Sequence, residues 1–128
     1  MWPLRVDRSD FLLEIYGHYP SLDSVEVTEL VLSREGPSIK LSLLAPTLPY
    51  NPPTQWKPSN QVFFGLQLIS IDSVEITKLS FDGRSQIRMW DQGPHIRAQC
   101  LGAAKFDIQF QHLAIDRISG VLSGEPER

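Results

Sequence analysis

The sequence predicts a β-rich α+β domain: an antiparallel sheet or sheets of about eight strands with one N-terminal helix packed on it. Three observations carry this expectation. Apolar residues alternate with a period of two over most of the chain from Val25 onward. Turn residues such as Arg34-Glu35-Gly36-Pro37 and Asp91-Gln92-Gly93-Pro94 interrupt that alternation at short intervals. Helical spacing occurs convincingly near the start alone. The 128 residues suit a single domain over 1–128, and 41% hydrophobic with 21% charged residues is an ordinary globular mixture.

The helix comes first. Phe11, Leu12, Ile15 and Tyr16 fall on one stripe. Ser9 or Asp10 can cap its first turn, Gly17 suits the left-handed position that ends a helix, and Pro20 forbids resumption. Residues 1–8 before it and 123–128 at the other end are expected to fray. The opening residues show neither the apolar core of a signal peptide nor a bilayer-spanning stretch, so the expected location is cytoplasmic, away from any membrane.

Strand candidates follow. Val25, Val27 and Val31 form the first, and Ile39, Leu41, Leu43 and Ala45 the second, joined as a hairpin through residues 34–37. Residues 46–60 hold five of the ten prolines, together with Tyr50 and Trp56. A residue that cannot donate to a sheet ladder, repeated so often, makes this a proline-rich covering or functional loop. Later strands are expected at 62–71, 74–81, 87–90, 95–101, 106–111 and 113–122.

Residues 23–32 recur at an offset of 49. Asp23-Ser24-Val25-Glu26-Val27-Thr28-Glu29-Leu30-Val31-Leu32 and Asp72-Ser73-Val74-Glu75-Ile76-Thr77-Lys78-Leu79-Ser80-Phe81 agree at six of ten positions. Both copies place apolar residues at i, i+2, i+5 and i+7, which changes phase midway. A one-residue bulge near Thr28-Glu29 and Thr77-Lys78 would return all four to one face. Burial of both faces in the second half of each copy is the alternative, as is chance similarity between two strands.

The chain carries no expected catalytic, metal or cofactor-binding residues. His18, His95 and His112 lie at no ligand spacing, and no phosphate loop or nucleophile elbow is present. Cys100, the single cysteine, sits on the apolar phase as an inert thiol and excludes an intrachain disulfide. If the turn at 91–94 closes a hairpin, Arg88 faces Arg97, with Asp107 on the next strand placed to relieve them. That group is a solvated charge ladder or an anion site. Trp90, on the polar phase beside the turn, is either a contact anchor or covered by the proline loop.

Charge is uneven. Residues 1–45 carry seven acids against four bases, while 46–128 carry eight of each. The formal charge of −3 argues against a nucleic-acid partner. Asp23, Glu26, Glu29 and Glu35 are the electrostatic candidates for steering a basic partner, and Tyr50, Trp56 and Trp90 the anchor candidates.

The order of features resembles a known family. A helix runs into Tyr16-Gly17-His18-Tyr19-Pro20-Ser21-Leu22-Asp23-Ser24-Val25-Glu26-Val27, and the 34–37 turn follows. The loop holds Pro52-Pro53-Thr54-Gln55-Trp56, and Ile115-Asp116-Arg117-Ile118-Ser119-Gly120-Val121-Leu122 closes the chain. Over residues 9–122 this is similar to the immunity protein 50 family of bacterial polymorphic toxin systems. The resemblance implies a cytoplasmic protein, not an enzyme, that binds and neutralises a cognate toxin domain. It places no functional residue at a particular position. Two other readings stand beside it. One is a small apolar-ligand binder lined by Phe63, Phe64 and Phe81. The other is an accessory subunit pairing through a sheet edge.

Overall fold

The structure, a computed structural model, describes residues 2–56, 59–80 and 82–122. Helix α1 spans Asp10–Tyr16. The strands are β1 (Glu26–Ser33), β2 (Ser38–Ala45), β3 (Gln61–Lys78), β4 (Ser85–Gln92), β5 (His95–Gly102) and β6 (Lys105–Val121). They form one antiparallel sheet in the order β1-β2-β3-β6-β5-β4.

Six strands replace the expected eight because one expected break is a bulge and the other, at His112, is an ordinary ladder position opposite Ile69. Asp72, read as part of a break, is an extra residue in β3, where the register with β6 shifts between Ile71 and Ser73. The expected strands at 62–71 and 74–81 therefore run on as one, with Phe81 itself outside the described residues. Strand β6 joins 106–111 to 113–122 through His112 and, further on, takes an extra residue at Asp116, between the partners of Gly65 and Leu66. A bulge bends a strand without ending it.

Those long strands serve two half-sheets. Residues 62–69 of β3 pair with β2, and residues 106–110 of β6 pair with β5. The outermost strands then meet: Val25 and Ser85 exchange both backbone hydrogen bonds, at 2.9 and 2.7 Å, and the Ile87 amide donates to the Leu22 carbonyl. The sheet thus curls until its two edges touch. Its concave face holds Val27, Ile39, Leu41, Leu43, Phe64, Leu66, Leu68, Met89, Ala98, Cys100, Ile108 and Phe110, all fully buried.

Helix α1 packs on this core through Leu12, Ile15 and Tyr16. The Tyr16 ring lies 6.1 Å from that of Phe64, and its hydroxyl donates to the Thr47 carbonyl at 2.6 Å. Two sequence expectations fail locally. Phe11 is exposed instead of completing the stripe, meeting Trp56 edge to face. Ser9 occupies the cap position without donating or accepting a side-chain cap bond; its hydroxyl accepts from Tyr19 instead. Gly17 ends the helix at φ 78°, the left-handed conformation read from the sequence.

Residues 2–7, expected to fray, make contacts along the body. Trp2 stacks on Tyr19 and donates to the Pro20 carbonyl at 2.7 Å, Val6 is buried, and Asp7 bridges Ala114 in parallel. Residues 123–128 lie outside the described residues.

Candidate functional site

The acidic candidates line β1 and its ends. Glu26 faces Leu44 and Glu29 faces Ser42, so both carboxylates stand on the convex face at neighbouring positions. The Glu29 carboxylate accepts from the Ser42 hydroxyl at 3.4 Å. Glu35 is exposed in the turn at the far end of β1. Asp23 precedes the strand and is tied to the opposite edge of the sheet, accepting from the Gln86 amide at 3.1 Å. That hydrogen bond, with a second from Ser21, holds its carboxyl below the usual carboxylate range.

The bulge read from the sequence positions these groups. The register of β1 shifts between Val27 and Glu29, making Thr28 the extra residue. Val27, Leu30 and Leu32 then face Leu43, Leu41 and Ile39 on the concave side. The echo carries its own bulge at Thr77, between Ile76 and Lys78.

The aromatic candidates do not join the acids. Tyr50 is 93% exposed on the proline loop. Trp56 is partly buried against the core, and a Cβ at Gly120 would strike its ring, so the indole supports the fold. Trp90 lies on the other half-sheet. It is half-buried beneath Arg97, whose guanidinium sits 5.6 Å from the ring centroid.

That second half-sheet carries a polar convex face. Trp90, Arg97, Gln109 and Ser73 lie side by side across four strands, next to a row of Arg88, Gln99, Asp107 and Glu75. Arg88 therefore faces Gln99 and not Arg97 as the sequence suggested. The connection is the two-residue turn Gly93-Pro94, with Gln92 paired to His95 and Gly93 at φ 64°. Proline cannot take positive φ, so a glycine-first tight turn was the readable signal. Arg97 donates to both Asp107 oxygens at 2.9 and 2.6 Å, the relief expected of that carboxylate. Ser73, Glu75, Gln92, Arg97, Asp107 and Gln109 line an open cleft of about 500 Å³. The pairing of Arg97 with Asp107 was legible in the sequence, whereas the cleft was not, because it depends on the curl of the sheet.

Phe63 and Phe64 do not share a pocket. Phe64 is fully buried on the concave side, whereas Phe63 lies on the convex side under Arg117, 5.4 Å from its ring. Phe81 lies outside the described residues. Cys100 is buried, and that burial pushes its thiol up to about 11. Among the described residues no cluster of three His, Cys, Asp or Glu gathers as metal ligands would, and no helix is long and apolar enough to cross a membrane.

The sequence model of a family described as immunity protein 50 matches residues 9–121. No curated protein and no solved structure matches the chain.

Proposed function

The chain belongs to the immunity protein 50 family, and from that premise we propose that it binds a cognate toxin domain of a bacterial polymorphic toxin system and neutralises it. It acts in the cytoplasm by occupying a toxin surface and carries out no reaction itself. The family match over 9–121 carries this reading. The charge distribution supports it: three acids on β1 and its turn, with Asp23 held ionised beside them, form a field that speeds capture of a basic partner.

The direct experiment expresses the C-terminal domain of the secreted protein encoded immediately upstream, with and without this chain. Growth arrest by the domain alone, relieved by the chain, is the expected result. Arrest that persists with soluble chain present overturns the reading. In the purified pair, Glu26→Lys with Glu29→Lys should slow association about tenfold at low salt and flatten its salt dependence.

A further inference from the structure

Four stretches of strand edge lack a full-length neighbour, and two of them are bridged over part of their length. The free side of β4 meets residues 22–25 and takes the Leu4 amide on Asp91. The free side of β6 meets Asp7, whose amide donates to the Leu113 carbonyl and whose carbonyl accepts from the Ile115 amide. The other two are the echoed segments. Beyond Val25, β1 pairs with β2 alone, and beyond Ile71, β3 pairs with β6 alone, among the described residues.

These two open edges differ as templates. The β3 edge is broken by bulges at Asp72 and Thr77 and by Ser70 at φ 61°. Such irregularities, with the charge of Lys78, block pairing with another chain. From Glu29 to Ser33, by contrast, β1 keeps unbroken register with β2. It presents Val31 on the convex side, 43% exposed, and Leu32 on the concave side, 60% exposed. Aliphatic side chains bared on both faces of a regular edge are what an added strand would cover.

Charge selects the occupant. The strand bears Glu26 and Glu29 and no lysine or arginine; Asp23 lies before it and Arg34-Glu35 after it, a balance of four acids against one base. Edge-to-edge pairing with a second copy would bring the carboxylates of both strands onto one convex face with no base on either strand, Lys40 of β2 already lying 4.0 Å from Asp116. A partner strand bearing lysine or arginine on that face removes the conflict.

We propose that residues 29–33 of β1 are the toxin-docking edge, onto which an extended, basic segment of the toxin domain adds as a further antiparallel strand. This rests on the immunity reading above. The fit is to backbone first and to charge second, so a toxin needs only a compatible strand with apolar residues for Val31 and Leu32.

Hydrogen exchange on the full chain, with and without the upstream-encoded C-terminal domain, tests it without mutation. Backbone amides within 29–33 should become at least tenfold slower to exchange in the complex, while those of 72–78 stay unchanged. Val31→Lys with Leu32→Lys, both at exposed positions, should weaken binding at least tenfold, and Glu75→Lys less than twofold. A complex that forms with 29–33 unprotected, or that tolerates the β1 pair, overturns the docking edge and leaves the immunity reading standing. A free chain that dimerises through β1 overturns it as well. No complex with the unaltered chain removes both readings.

Discussion

Residues 23–32 and 72–81 share most of their letters and a bulge after the same threonine, yet the fold uses them oppositely. In the first copy Val25 and Val27 are buried, Val25 welds the two sheet edges together, and only the later residues emerge. In the second, Val74 is half-buried, Ile76 is 41% exposed and Leu79 42% exposed. The first copy enters a hairpin whose inner face closes the curled sheet. The second overhangs β2, so one of its sides has no neighbour among the described residues. Sequence similarity thus fixed phase and bulge in both, while burial came from what each copy was set against.

Adding a residue beside the bulge breaks the comparison most severely. Inserting one glycine between Val27 and Thr28, with the bulge and the register from Glu29 to Ser33 kept, moves Val27 from Leu43 to Leu44, turns Val25 and Val27 onto the convex face and undoes the contact with Ser85. We expect a loss of at least about 4 kcal/mol in urea unfolding, or no folded protein. The same insertion between Ile76 and Thr77 displaces side chains already half-buried or exposed and should lower stability by about 1 kcal/mol or less. Equal losses would contradict the unequal burial of the copies.

Truncation at matched positions is a milder version. Val25→Ala should cost about 2–3 kcal/mol, the transfer of the lost methyl groups plus the cavity they leave. Val74→Ala should cost less than about 1 kcal/mol, because that site is already partly wet.

The smallest effect reports how dry the core is behind each copy. Val27, Leu43 and Phe64 lie in one cross-strand row, and Tyr16 packs on Phe64. Ile76, Phe106 and Cys100 form the matching row of the second copy. Burial raises both the Tyr16 hydroxyl and the Cys100 thiol above their ordinary values. Each group keeps its proton longer in the native state than in the unfolded chain. Their stabilising contribution is therefore whole below the unfolded values, about 8.5 for the thiol and about 10 for the phenol, and is lost as pH rises. Urea midpoints should fall above about pH 9, and Cys100→Ala should fall less between about pH 9 and 11. A variant that tracks the native protein at every pH would mean that the second row is wet.

Much of the site was legible one residue at a time. The i, i+2, i+5, i+7 spacing gave the bulge at Thr28, and Gly17 gave the helix end, because both follow from local steric preference and strand phase. The pairing of Arg97 with Asp107 was legible for a different reason: an arginine on a sheet face needs a carboxylate within reach. The Arg88–Arg97 pairing failed because the turn was assigned four residues, and shortening it to Gly93-Pro94 moves every cross-strand partner by two. Trp90 was legible as a polar-face residue, but nothing local says which arginine will lie above it.

By itself the sequence determined an antiparallel α+β domain, its phase along each strand, its uneven charge and its family. Only the tertiary structure decided that β3 and β6 run on through their bulges, that β1 meets β4 at Val25, and which edges stay open. The physical reason lies in the range of the interactions. Phase and turn chemistry are set by neighbours a few residues apart. Edge coverage depends on contacts such as Val25 with Ser85 and Asp7 with Ala114, formed across long stretches of chain only once the whole sheet has curled.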